Sequence, residues 1–307
     1  MRSLLVLFFT IALIFGVASL INFPGEPAKL NASNFDTRLG QSEVNGQKAP
    51  ISTEVDRDDD SNTRHVCTPA PNDCDLRSAI VIANSDGKPT AITFADDYVI
   101  RISSALPTLT EDNTVIEAKK GQEVHVNGNG TAGSVFRITG AHVEISGLRI
   151  YGAGAGYPNL AVSGNAHDAV IAHNVIGDDD APNGNCGSSD LAYGGIYVDA
   201  EGEIADGVRA WIYGNVIECN QGIPGDGITI LSDSVIVGKD HLGAGDNSQR
   251  NIIRLNNGFG VNLTGATGNT VCDNSLIANK MGGLYISDYH DNNIMFNDIL
   301  DNGNVVN

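Results

Sequence analysis

Residues 251–303 read NIIRLNNGFGVNLTGATGNTVCDNSLIANKMGGLYISDYHDNNIMFNDILDNG, and the segment repeats with a period of 23. Asn251, Asn274 and Asn297 recur at that interval, as do Asn256, Asn279 and Asn302, Val261 and Leu284, and Leu263 and Ile286. Looser copies lie upstream, with Asn215 and Asn220 before Ile228 and Ile230, and Asn174 before Ile196 and Val198. A period in the twenties with paired aliphatics and bend asparagines is the mark of a β-solenoid. Asn suits the bends because it tolerates left-handed backbone angles and because stacked amides bond along the axis. The asparagines are therefore assigned to structure.

Short apolar pairs continue upstream: Phe136 with Ile138, Val143 with Ile145, Leu148 with Ile150. Each reads as a three-residue strand with its outer residues inward and its middle residue outward. Strands this short cannot build a sandwich, but stacked coil on coil they share a continuous core. The predicted fold class is all-β: a right-handed parallel β-helix over residues 92–307, with a capping α-helix before it.

That helix falls between Cys67 and Asn84, where Leu76, Ala79, Ile80 and Ala83 share one face and Asp75 is the expected N-cap. Cys67 and Cys74 are expected to bridge just before it, so residues 65–91 form a disulfide-stapled plug for the first coil's open edge. Residues 1–21 read as a signal peptide or N-terminal anchor, with Arg2 before the apolar run Leu4–Ile21 and the small residues Gly16, Ala18 and Ser19 near its end. Residues 22–64, broken by Pro24, Pro27 and Pro50, read as a polar, largely disordered tether. Its run Asp58, Asp59, Asp60 is more simply a solvated stretch than a Ca²⁺ site.

With 18 basic and 37 acidic residues, a net charge of −19 and five cysteines, the composition speaks against nucleic acid as a partner. It leaves cations, neutral glycans and basic surfaces. The chain is expected to be extracellular or on the cell surface, with no membrane contact beyond a possible N-terminal anchor.

The stretches CTPAPNDCDLRSAIVIAN, ITFADDYVIRISSALPTLTEDNTVIEAKKGQEVHVNGNG and VFRITGAHVEISGLRIYGAG, within residues 55–154, resemble the exported bacterial β-helix proteins that carry a CSLREA region. The later repeats resemble the wider pectate-lyase-like superfold. In that family's usual pattern a Ser opens the helix and a Glu stands three residues on, a capping box. Here Asp75 and Ser78 take those places, so the cap is expected to survive through Asp75 without the reciprocal bond. The resemblance implies an exported β-helix and carries no catalytic residue. The sequence has no Gly-His-Gly or Arg-Ile-Lys triplet and no Trp-Ile-Asp-His run, the local motifs of pectin-degrading enzymes on this superfold.

Alignment of GGIYVDAE, GDGITILSD, GFGVNLTGA and GGLYISDYH stacks four coils in one sheet. Its outward residues include Tyr197, Thr229, Asn262, Tyr285 and Asp288, the candidate ligand-binding set. Asp199, Glu201 and Asp233 are the candidate catalytic carboxylates, because coils about 4.8 Å apart bring them within the separations glycosidases use. Ca²⁺ binding and a merely solvated acidic face are the alternatives for the same residues.

The insertion between Gly177 and Gly194 holds Asp178, Asp179, Asp180 and Asp190, the candidate Ca²⁺ ligands, although no cofactor is required. Cys186, in the same insertion, is expected to bond to Cys219, leaving Cys272 buried beside Val271. His125, His142, His167, His173, His241 and His290 are scattered and share no metal-ligand spacing, so zinc is not expected. No phosphate-binding loop or nucleophile elbow is present.

The leading expectation is a secreted or cell-surface β-helix that binds carbohydrate or another surface polymer, as an adhesion or structural module. The alternative is a polysaccharide lyase or glycoside hydrolase acting on an acidic polysaccharide. The final DNGNVVN stops in mid-coil, which leaves end-to-end pairing or a longer natural chain as expectations.

Overall fold

In the computed structural model the described residues are 51–60, 66–131, 133–177, 186, 192–202, 204, 207–239, 247–287 and 291–303. They wind into a parallel β-helix of three sheets, with nine, eight and six strands. Every strand pairs in parallel with its counterpart one coil away.

The inward columns are aliphatic and in register. In the first sheet Ile92, Ile116, Ile145, Ile171, Ile212, Val237 and Val271 stack directly. Ile100, Val126, Ile150, Ile176, Ile217, Ile253 and Leu276 do so in the second. All fourteen are buried in one core cluster. The third sheet adds two columns, Phe136 through Leu284 and Ile138 through Ile286. Branched side chains fit a pleated stack, and each fully buried one contributes about 1.5–3 kcal/mol.

Bends between the sheets carry the asparagines. Asn174, Asn215, Asn251, Asn274 and Asn297 form one ladder, each Nδ2 donating to the next Oδ1 at 2.8–3.2 Å. Asn159, Asn220, Asn256, Asn279 and Asn302 form a second at 2.8–3.0 Å. The left-handed backbone falls one residue earlier than the sequence suggested: Asp273 (φ 59°) precedes Asn274, Ala278 (φ 52°) precedes Asn279 and Phe296 (φ 53°) precedes Asn297. Asn is selected at these bends for its amide, which satisfies a neighbouring carbonyl and the next coil together, and its tolerance of positive φ is not used there.

One α-helix, α1 (Leu76–Asp86), covers the start of the stack. Leu76, Ala79, Ile80 and Ala83 are buried in the core cluster, as the spacing predicts. Asp75 caps the helix by accepting from Ser78 N–H at 2.7 Å, and Gly87 ends it in the left-handed region (φ 62°). Asn84 ties it to the first coil, donating to Thr108 O and accepting from Thr110 N–H. The Cys67–Cys74 bridge precedes α1 as expected.

The tether reading fails for residues 51–60. Ile51–Val55 is a strand of the first sheet, parallel to Thr90–Phe94, with Thr53 and Val55 buried. Asp60 is a structural residue: it pairs with Arg77 at 2.6 Å and accepts from Ser103 N–H and Oγ. Arg77 also donates to Ser104 O and Ala105 O, binding strand, helix and coil into one cluster. Burial of the Asp60 carboxyl opposes its ionisation, but the Arg77 and Ser103 bonds outweigh that and hold its pKa below the ordinary value. The apolar run 1–21 and residues 22–50 and 61–64 lie outside the described residues.

Candidate functional site

The outward face of the third sheet is built on four strands: Gly194–Ala200, Asp226–Ile230, Phe259–Thr264 and Gly282–Ser287. Their register places Tyr197, Thr229, Asn262 and Tyr285 in one column, as the alignment predicts. At about 4.8 Å per coil the two tyrosines lie about 14 Å apart.

A buried carboxylate organises the middle of this face. Asp226 accepts from Phe259 N–H at 2.7 Å through Oδ1, and from Thr229 Oγ1 (3.1 Å) and Asn262 Nδ2 (2.8 Å) through Oδ2. Asn262 Oδ1 in turn accepts from Thr264 Oγ1 at 2.8 Å. A Cβ at Gly258 would collide with Asp226 Oδ1, so glycine keeps the carboxylate's place open. Thr229 is itself buried, so it supports the face and does not line it.

Aromatic rings flank the polar centre. Phe259 stacks on Tyr285 with centroids 4.8 Å apart and planes 23° from parallel, while Tyr285 is 43% exposed. Tyr193 meets Tyr197 edge to face at 6.3 Å, and Tyr193 N–H donates to the carbonyl of the exposed Tyr157. Burial first, then the negative charge of Asp199 and the adjacent Tyr193, raise the Tyr197 phenol above its usual pKa. It therefore stays a neutral donor, directed at Asp199 Oδ2 at 3.5 Å.

The candidate catalytic carboxylates do not share one column. Val198 pairs with Ile230, so the residue opposite Asp199 on the next coil is Leu231, and on the preceding coil Asp199 faces Ser163. Asp233 lies two positions beyond Leu231 in the bend, where its Oδ1 accepts from Thr267 N–H at 2.6 Å. Glu201 is exposed past the strand end, and its backbone carbonyl accepts from Arg209. Asp178, Asp179, Asp180, Asp190 and Asp288 lie outside the described residues. Cys186 bonds to Cys219 as expected, with Cα atoms 5.2 Å apart, and Cys272 is buried.

Phe259, Tyr157 and Asp226 are not singled out by the sequence, whereas Tyr193 is, as a member of the insertion between Gly177 and Gly194. Phe259 and Asp226 open their strands, and only the exact register shows that they belong to the face. The histidine reading needs correction too: His142 and His167, 25 residues apart, are brought together by one turn of the coil, with ring centroids 5.3 Å apart beside Asp168. Helical ligand spacing does not describe two residues that lie on successive coils.

The chain matches no protein-family model and no curated protein. Fold and face together define a disulfide-bonded parallel β-helix with an aromatic and amide-lined strip on its third sheet. Two disulfides mark it as a non-cytoplasmic protein, and among the described residues no helix is long and apolar enough to cross a membrane.

Proposed function

We propose that the chain is an extracellular or cell-surface β-helix that binds a polysaccharide or similar surface polymer along its third sheet. The observation that carries this reading is the column from Tyr197 to Tyr285, with flat rings at both ends and the Asn262 amide between them. Aromatic faces cover the apolar faces of sugar rings, and fixed amides and hydroxyls meet their hydroxyl groups. The Asp226 network holds these groups before a ligand arrives, which lowers the entropy cost of binding. The apolar first segment and the resemblance of residues 55–154 to exported CSLREA-region proteins support an exported chain of this class.

The test is retention of purified protein on a panel of immobilised acidic and neutral polysaccharides. Tyr285→Ala and Tyr197→Ala are each expected to weaken retention by about two- to tenfold while leaving the circular dichroism unchanged, because stacked aromatics contribute about 0.5–1.5 kcal/mol. Retention on no member of the panel, or retention indifferent to both substitutions, contradicts the proposal. Release of unsaturated products or reducing ends, abolished by Asp199→Ala or Asp233→Ala, would replace binding with catalysis.

A further inference from the structure

We infer that His142, His167 and Asp168 form a binding site for a divalent transition-metal ion, Zn²⁺ or a close analogue, at the bend between the third and first sheets. His142 (φ 54°) and Asp168 (φ 51°) occupy the same bend position on successive coils, both in the left-handed region, and His142 N–H donates to His167 O. The backbone therefore sets the spacing of the three side chains.

Asp168 is the centre of the cluster. Its Oδ1 accepts from Val208 N–H on the next coil at 3.2 Å, which fixes the carboxylate plane. The other oxygen, Oδ2, lies 2.8 Å from His167 Nδ1 and 3.8 Å from His142 Nδ1. One donor atom from each of the three residues falls within 4.8 Å of the other two. A Cβ at Gly207 would strike Asp168 Oδ1, so glycine at that position keeps the carboxylate in place.

Two imidazoles and one carboxylate suit zinc, cobalt or nickel, whereas Ca²⁺ requires six or more oxygens. Zinc bonds of about 2.0–2.1 Å need the donors closer than their outermost separation here. The adjustment falls on the two imidazoles, which are 53% and 36% exposed and can rotate. Exposure also leaves one side of the ion open to water, as in sites with three protein ligands. The carboxylate anchored through its second oxygen is the outer bond that orients such a site.

The experiment titrates the full chain with Zn²⁺ by calorimetry and with Co²⁺ by visible absorption, with Ca²⁺ in parallel. One Zn²⁺ per chain is expected, with cobalt absorption of a low-coordinate nitrogen and oxygen site and no displacement by equimolar Ca²⁺. His142→Asn, which keeps a residue type that tolerates the left-handed backbone, and His167→Ala are each expected to weaken binding at least tenfold while the melting temperature of the metal-depleted protein is unchanged. Asp168→Asn tests the carboxylate but also disturbs the Val208 bond, so the two histidine variants decide. Absence of Zn²⁺ binding, or binding equally tight in both histidine variants, overturns the inference.

Discussion

At the scale of single residues, the asparagine ladders show how a side chain specifies a bend. Asn251 donates from Nδ2 to Ile212 O and to Asn274 Oδ1, while its own Oδ1 accepts from Asn215 N–H and Nδ2. Replacement by alanine leaves several buried groups unpaired, so Asn251→Ala is expected to cost about 1–3 kcal/mol, measured by chemical denaturation. Asn302→Ala is expected to cost less, because that residue is only part-buried and water can replace the amide. The sequence shows these residues openly, since they recur every 23 positions. It does not show Asp226 or the pairing of His142 with His167. Their neighbours come from other coils, and upstream insertions shift the period there away from 23.

At the scale of elements, the start of the stack is held by the Asp60–Arg77 pair as much as by the apolar face of α1. Both side chains are nearly buried, at 2% and 7% exposed. Removing one partner leaves the other charge buried, so Asp60→Asn is expected to destabilise the fold by about 3–5 kcal/mol at neutral pH. The folded-state pKa of Asp60 is lowered, so its stabilisation is full above the unfolded carboxylate value and is lost as pH falls through the folded one. Thermal melts from pH 7 downward should therefore show wild type and Asp60→Asn far apart at neutral pH and converging in acid below the ordinary carboxylate pKa. A gap that stays constant with pH would assign the loss to packing instead. The helix was legible because its apolar residues fall at helical spacing. The strand Ile51–Val55 was not: a five-residue alternation beside Pro50 and an aspartate run has the composition of a tether, and its partner Thr90–Phe94 is known only from the fold.

The described β-helix behaves as a one-dimensional stack in which each coil is stabilised by its neighbours. Exposure along the second sheet's inward column rises from 0% at Leu276 to 51% at Ile299, its last described member. The third-sheet face gains its regularity from the same register, which makes a row of side chains out of residues 23 to 33 apart in sequence. Fold class, plug and both disulfides follow from local pattern. The face was legible as a column, but its hydrogen-bonded floor was not, because side-chain bonds between coils leave no periodic trace.

Core and candidate face both require that Asn262 and Tyr285 stand opposite each other, pointing the same way on adjacent coils. Paired cysteines test this directly, since a disulfide forms only when the Cα atoms are about 4.4–6.8 Å apart and the side chains converge. The double variant Asn262→Cys, Tyr285→Cys should cross-link on mild oxidation, while Asn262→Cys, Ile286→Cys should not, because position 286 faces the core. The reverse outcome would place the strands one residue out of register and contradict the account.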